Sequence, residues 1–291
     1  MKTDISIIKP DGSLVADVPG TEVSWFAFLR LSRAVNSKVG GWNSKTHWKS
    51  RGLTILTAPA SASFVQKWTA ASLSSKTDPK PRKRDFRFRS KMSQSRKSAC
   101  DLALDVAEKK NLNECAENGL NALLFDQFAL SKKRVFYDFG KFLSYEIPLA
   151  AESVGQLKID LFGFGVDKPD GTRFVTIVEL KNGKNHGDSP LMALVESICY
   201  ATQLVRCKRY FTKEVHNLAG ELKFDDVVDH FKVIKLVIAA PEAYWKHWGE
   251  PAEIEPEMQV IVSRVNAGFG GQCKVTLHCH KLTADDIGVG R

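Results

Sequence analysis

The chain has 291 residues, 43% of them hydrophobic, which is enough to bury a large core and too apolar for a disordered polyelectrolyte. Its 42 Lys and Arg exceed its 33 Asp and Glu by a formal charge of +9, a balance that favours a polyanionic partner or an anionic surface over an acidic protein. No stretch approaches the roughly 18 to 20 uncharged apolar residues that cross a bilayer, and Met1 to Pro10 lacks the apolar core of a signal peptide, so a cytoplasmic protein with no membrane partner is expected.

In chain order, Ile5 to Val15 alternates around the turn signal Pro10-Asp11-Gly12, which reads as two short strands. A helix is expected from Ser24 to Val35. The aromatic and basic residues that follow (Trp42, His47, Trp48, Lys49, Arg51, Trp68) read either as buried tryptophans or as part of a nucleic-acid-facing surface. Between Ser74 and Ser98 ten Lys and Arg stand against two Asp, a local excess of +8 that accounts for nearly all of the net charge. Such a run is either a solvated linker or a phosphate-binding arm: Lys80, Arg82, Lys83, Arg84, Arg87 and Arg89 can displace counterions, and Phe86 and Phe88 can stack on bases. In either case it marks a boundary between residues 1–98, a basic N-terminal region, and a domain over 99–291.

From Ala99 onward strands and helices alternate, the pattern of an α/β domain with a mixed sheet. Helices are predicted from Ala99 to Lys109 and Asn113 to Phe128, then strands at Val135 to Ile147, Gln156 to Gly165 and Arg173 to Leu180. A helix from Ser189 to Lys208 opens with Ser189 as cap and Pro190 at its first position. Phe231 to Ala240 reads as a strand buried on both faces, followed by a short helix at Ala243 to Trp248. A last hairpin is predicted to join Met258 to Val265 with Gln272 to Leu282. The six cysteines (Cys100, Cys115, Cys199, Cys207, Cys273, Cys279) form no CxxC pair, which points to reduced thiols. Around Cys279, strand alternation sends His278 and His280 to the opposite face, which argues against a zinc site.

The segment from Gln156 to Lys181 carries the chemistry. A turn at Lys168-Pro169-Asp170-Gly171, centred between Pro169 and Asp170, places Asp160 opposite Glu179 in a regular hairpin. Lys181 then shares their face, while Ile159, Leu161, Val178 and Leu180 fall on the other. Two adjacent carboxylates repel unless a countercharge joins them, and hard oxygen ligands suit Mg2+ or Mn2+. The alternative is a surface Asp/Glu/Lys cluster held by a salt bridge.

The pattern Ile159-Asp160 followed by Glu179-Leu180-Lys181 at the end of an apolar strand resembles the PD-(D/E)XK nuclease superfamily, with Ile159 in place of the usual proline. The resemblance spans about Asn113 to Leu282, and it implies a restriction-endonuclease-like mixed sheet flanked by helices. It further implies Asp160 and Glu179 as catalytic metal ligands, with the carbonyl of Leu180 as a further oxygen. Lys181 is implied as the partner of the attacking water and of the transition state, and Glu117 as an upstream acid that helps hold metal, with Glu114 as its competitor. Glu196, Tyr200 and Gln203 share one stripe of a helix and resemble the QxxxY motif of RecB-like nucleases with Glu for Gln; a plain polar face is the other reading. Glu146 is a third acidic candidate or a sheet residue. In the loop Asn182 to Asp188, Lys184 and His186 either contact phosphate or decorate a surface loop.

The expected function is therefore Mg2+-dependent hydrolysis of phosphodiester bonds by a metal-activated water, as an endonuclease acting on DNA more than RNA. A homodimer or protein partners are compatible with it. The rival is a non-catalytic nucleic-acid-binding or assembly subunit on the same fold; a metal-dependent phosphatase is disfavoured by the long basic arm, which a small substrate does not require.

Overall fold

The computed structural model describes residues 5–8, 14–18, 24–26, 28–29, 45–75, 91–148, 158–167, 169–208, 211–212 and 230–289. The Pro10 to Gly12 turn, most of the Ser24 to Val35 helix, Trp42, the side chain of Arg51, Lys168 and the basic run with Lys80, Arg82, Lys83, Arg84, Phe86, Arg87, Phe88 and Arg89 lie outside the described residues.

Strands β1 (Ile5–Ile8) and β2 (Leu14–Val18) pair antiparallel, as alternation about the turn signal leads one to expect. The larger unit is α/β, with a five-stranded mixed sheet in sequence order, β3 (Lys141–Pro148), β4 (Lys158–Val166), β5 (Arg173–Leu180), β6 (Val233–Pro241) and β7 (Lys274–Leu282). β3, β4 and β5 form an antiparallel meander, whereas β5, β6 and β7 run parallel. The β4–β5 pairs run from Val166 opposite Arg173 to Leu161 opposite Val178, the register a turn centred between Pro169 and Asp170 dictates. Gly171 closes that turn at φ 70°, a conformation costly for residues with a Cβ, and the Asp170 side chain accepts from the Thr172 N–H at 2.9 Å.

Helices cover both faces of the sheet: α1 (Ala62–Ser74), α2 (Gln94–Lys109), α3 (Glu117–Phe128), α4 (Pro190–Arg206), α5 (Glu242–Trp248) and α6 (Pro251–Phe269). One apolar layer joins Phe162, Phe164, Val175 and Ile177 of the sheet to Leu194 and Ile198 of α4 and Ile261 of α6; Trp25, Trp48 and Trp68 belong to it. The described parts of residues 1–98 thus share a core with the sheet, and Trp48 and Trp68 are buried residues rather than a stacking surface. The other layer packs Tyr145, Leu161, Val178 and Leu180 against Leu120 and Leu124 of α3.

Four expectations need correction. Met258 to Val265 is the middle of helix α6, so β7 pairs with β6 and not with a hairpin partner. Ile254, Met258, Ile261, Val262, Val265 and Phe269 are buried at helical spacing, and Pro251 stands in the first turn, where its missing N–H costs nothing. The strand expected from Val135 starts at Lys141, after a 3-10 turn at Tyr137–Phe139. Ile159 does not share the layer of Leu161; it packs with Ile147 on the opposite side. Helix α4 has no solvated polar stripe: Glu196, Tyr200 and Gln203 are buried, because the sheet covers one side of the helix and α1 packs on it as well.

On β7 the alternation holds. His280 sits among Phe136, Tyr137 and Phe139 with Nε2 3.2 Å from Asp286, while Cys279 packs on the other layer. All six cysteines are free thiols.

Candidate active site

Acidic side chains from five segments meet beyond the C-terminal end of β5. Glu117 comes from the first turn of α3, Asp160 from the start of β4, Glu179 from the end of β5 and Glu196 from α4; Asp188 ends the loop that follows Lys181. Lys181 continues the β5–β6 ladder, its N–H donating to the Ala239 carbonyl at 3.0 Å, so it shares a face with Glu179 two residues earlier.

At Asp160 the β4–β5 ladder gives way to side-chain bonds. The regular pairs stop at Leu161, and the Leu180 N–H donates to Oδ2 of Asp160 at 2.7 Å. The Asp160 carbonyl accepts from Nδ2 of Asn121 at 2.9 Å. By count Asp160 stands opposite Glu179, as the hairpin arithmetic requires, but a carboxylate replaces the backbone acceptor there. The helix α4 side is equally deliberate: Ser189 caps it by accepting from the Met192 N–H at 3.3 Å, and this fixes the turn that places Glu196 beside Lys181.

Among the described residues, Lys181 is the one cation in this cluster. Its Nζ lies 2.7 Å from Oε1 of Glu179, 3.4 Å from Glu196 and 3.8 Å from Asp188. Glu179 and Lys181 are each only 4% exposed, and Glu196 3%. Burial works against the Lys181 ammonium, yet Glu179, Glu196, Asp188 and Glu117 outweigh it and hold its pKa well above the usual value. The acids are pushed the other way. Burial, then the charge of Glu117, raises Asp160 to about 7 against the opposing pull of Lys181 and the Leu180 N–H. Burial raises Glu179 well above the carboxylate range; Lys181 opposes this, and Asp160 and Glu196 add to it. Burial likewise raises Glu117, which Lys181 partly offsets. Tyr200, one turn beyond Glu196, faces the same charges: burial first, then Glu179, Glu196 and Asp160, keep its hydroxyl protonated.

Among the described residues no three His, Cys, Asp or Glu side chains already stand close enough to hold a metal ion. Carboxylates repel where no ion lies between them, so the donor chemistry is the better test of fit. Oε2 of Glu179 is buried without a hydrogen-bond partner among the described residues, and a bond to the Glu196 carboxyl forms only when one of the two groups carries a proton. Five acids around one ammonium, with an orphaned carboxylate oxygen, fit a hard divalent cation.

The remaining expected residues divide. Glu117 faces the cluster, whereas Glu114 points outward and pairs with the exposed Lys184 at 2.6 Å. Leu180 contributes its N–H to Asp160, and its side chain belongs to the core. Glu146 is engaged by the buried Arg96, which also donates to the Asn118 carbonyl at 2.8 Å. Glu146 adopts φ 47°, a conformation non-glycine residues rarely take. Gln203 is turned to Arg206, whose Nη2 donates to its Oε1 at 2.7 Å. Two participants carry a weaker sequence signal. Asn121 follows Glu117 by four positions and therefore shares its helical face. Asp188 precedes the Ser189-Pro190 cap and reads from sequence as a loop residue. A surface cavity lined by Lys91, Lys97, Phe125, Asp126 and Lys132 lies at the other end of α3 and is not where the buried charges gather. Compared with known proteins, the chain matches no family model, no curated protein and no solved structure.

Proposed function

We propose that this chain is a divalent-metal-dependent nuclease with a restriction-endonuclease-like core, hydrolysing phosphodiester bonds of DNA in preference to RNA. The observation that supports it most is the excess of buried carboxylate: Glu117, Asp160, Glu179, Asp188 and Glu196 surround the ammonium of Lys181, and one oxygen of Glu179 has no partner among the described residues. A cluster kept only for stability is costly in this form, because unpaired buried charge is destabilising. Asp160 and Glu179 would be the ligands of Mg2+ or Mn2+, with the Leu180 carbonyl as a further oxygen and Glu117 as accessory acid. Held there, such an ion would supply positive charge for phosphoryl oxygens and acidify a water for attack.

The protein's own residues do the rest. Lys181 is held protonated by four acids, so it acts as a fixed positive charge that orients water and stabilises charge developing on a phosphoryl oxygen, not as a base. Glu196 holds that ammonium in place, and the Leu180 N–H and Asn121 hold Asp160 at its rim. The test is cleavage of plasmid and single-stranded DNA with Mg2+ or Mn2+ by the wild type, Asp160→Ala and Lys181→Ala. Loss of about 100-fold or more in each variant is expected for groups acting on the transition state. Cleavage that survives in both removes this site; nucleic-acid binding without wild-type cleavage under either metal favours the non-catalytic binding subunit.

A further inference from the structure

The loop from Asn182 to Asp188 leaves the acidic centre at Lys181 and returns to it at Asp188, carrying His186 on its exposed side. Helix α5 ties this loop down at two points: Nε1 of Trp248 donates to the Asn185 carbonyl at 3.0 Å, and the Tyr244 hydroxyl donates to the Asp188 carbonyl at 3.0 Å. Held so, His186 stacks on His247 of α5 with ring centroids 4.0 Å apart and planes within 10°. The segment before helix α1 adds two ammonium groups. Lys45 is close enough to His247 to disfavour its protonation, and Lys49 extends over the Trp48 ring beside Gly249, with Trp48 in edge contact with Trp248.

Among the described residues Lys45 and Lys49 are not alone in lacking an ion pair, for Lys232 and Lys274 lack one too; what sets this patch apart is its place beside the loop. Lys109, Lys184, Lys246 and Lys281 are paired with Asp105, Glu114, Glu242 and Glu250. Lys45 and Lys49 form no ion pair with any described residue, and no described carboxylate offsets the positive neighbours of His247. Burial lowers the pKa of His247 first, and the neighbouring His186 and Lys45 lower it further. Two flat imidazoles and two such ammonium groups, on and beside a loop that begins and ends in an acidic hydrolytic centre, suit the oxygens of a polyanion.

We propose that His186, His247, Lys45 and Lys49 form a phosphate-binding surface that seats the nucleic-acid backbone beside the acidic centre. This rests on the nuclease reading for its substrate class and deepens it by naming the residues that hold the strand. Lys184, the expected contact in this loop, is already neutralised by Glu114 and is secondary to them.

The test reads binding, not cleavage. A fluorescein-labelled DNA of about 20 nucleotides, single-stranded or duplex, is titrated by anisotropy with the full-length Asp160→Asn protein in EDTA, from about 50 to 200 mM salt. In that background the fourfold variant Lys45→Ala/Lys49→Ala/His186→Ala/His247→Ala is expected to bind at least about tenfold more weakly at the lowest salt. The slope of log affinity against log salt should fall by about 0.9 on duplex, or about 0.7 on single strands, for each phosphate that is no longer neutralised. Lys232→Ala/Lys274→Ala removes charge at the opposite end of the parallel strands and should change neither value. The proposal is overturned if the fourfold variant melts like its parent and keeps its affinity and slope, if the control pair lowers them equally, or if the parent does not bind. A parent that binds through this surface while the wild type never cleaves sinks the nuclease reading alone; a cleaving enzyme whose slope survives the four substitutions sinks only the surface.

Discussion

Replacing Asp160 by Asn should stabilise the metal-free protein, and the gain should grow with pH. In the folded chain Asp160 titrates near 7 rather than at its ordinary 3.8, chiefly because it is buried and then because Glu117 is near. A carboxyl whose folded pKa is raised contributes stability that is fully present below the unfolded value. That stability is lost as pH rises between about 4 and 7, since the unfolded chain ionises first. The rise from 3.8 to about 7 corresponds to at most about 4 kcal/mol at 1.36 kcal/mol per pH unit. Because Asp160 is partly exposed and the cluster can relax, we expect about 1 to 2 kcal/mol to be realised. The Asn side chain is isosteric and still accepts from the Leu180 N–H. Thermal melts in EDTA should therefore show Asp160→Asn within error of wild type near pH 3.5 and higher by about 2 to 6 °C at pH 8. Adding Mg2+ at pH 8 should reverse the order, raising the wild-type melting temperature and not that of the variant, with up to about 2.7 kcal/mol of stabilisation at a hundredfold excess over Kd. A variant less stable than wild type at pH 8 in EDTA, or a difference independent of pH, would refute the claim that these acids outnumber their one countercharge, Lys181.

Removing the ammonium should act in the opposite sense. Lys181→Ala strands four acids in its shell, and denaturant titration at pH 8 should find it destabilised by about 3 to 5 kcal/mol, with partial recovery at pH 5 as the acids take up protons. Glu146 and Arg96 separate structure from chemistry: Arg96→Ala, which leaves Glu146 without its guanidinium, should cost about 3 kcal/mol, while Glu146→Gln should keep metal-dependent cleavage within about threefold of wild type. If Glu146→Gln abolished cleavage at unchanged stability, Glu146 would belong to the site. At Gly119 a Cβ would stand 2.6 Å from Cβ of Ala103, so Gly119→Ala should lower stability by about 1 to 2 kcal/mol despite its better helix propensity, an effect a melt of the single variant and of Gly119→Ala/Ala103→Gly would expose.

The fold is legible where one periodicity has no competitor. The apolar run of β5 gives its bounds, Arg173–Leu180, and Ser189-Pro190 gives the start of α4. It misleads where two periods overlap. Met258 to Val265 contains enough apolar and β-branched residues to pass for a strand, and only a longer window, back to Pro251 and on to Phe269, reveals the helical spacing that burial confirms. Ile159 falls on the wrong side because strict alternation ignores local breaks in a strand. β3 carries a bulge between Phe142 and Ser144 and a positive φ at Glu146, the residue whose number pairs with Asp160, and alternation fails on both strands at that point.

The same break explains why the centre is only partly legible. Hairpin counting brings Asp160, Glu179 and Lys181 together because it needs only the turn and the pleat, both local. Asn121, Glu196 and Asp188 join through helix packing and a loop, and nothing in the spacing of a single strand encodes those contacts. Counting also cannot show that the ladder ends at Leu161. That ending matters chemically. A paired backbone would cover Asp160 on both sides, whereas here its carbonyl is taken by Asn121 and one carboxylate oxygen by the Leu180 N–H, which leaves the other oxygen uncommitted among the described residues. The acids gather at this place because β4 and β5 have stopped bonding to each other there, while the β3–β4 and β5–β6 pairs continue. Substituting Asn121→Ala, which returns the Asp160 carbonyl to solvent, should accordingly weaken Mg2+-induced stabilisation while leaving the buried Glu179–Lys181 pair intact.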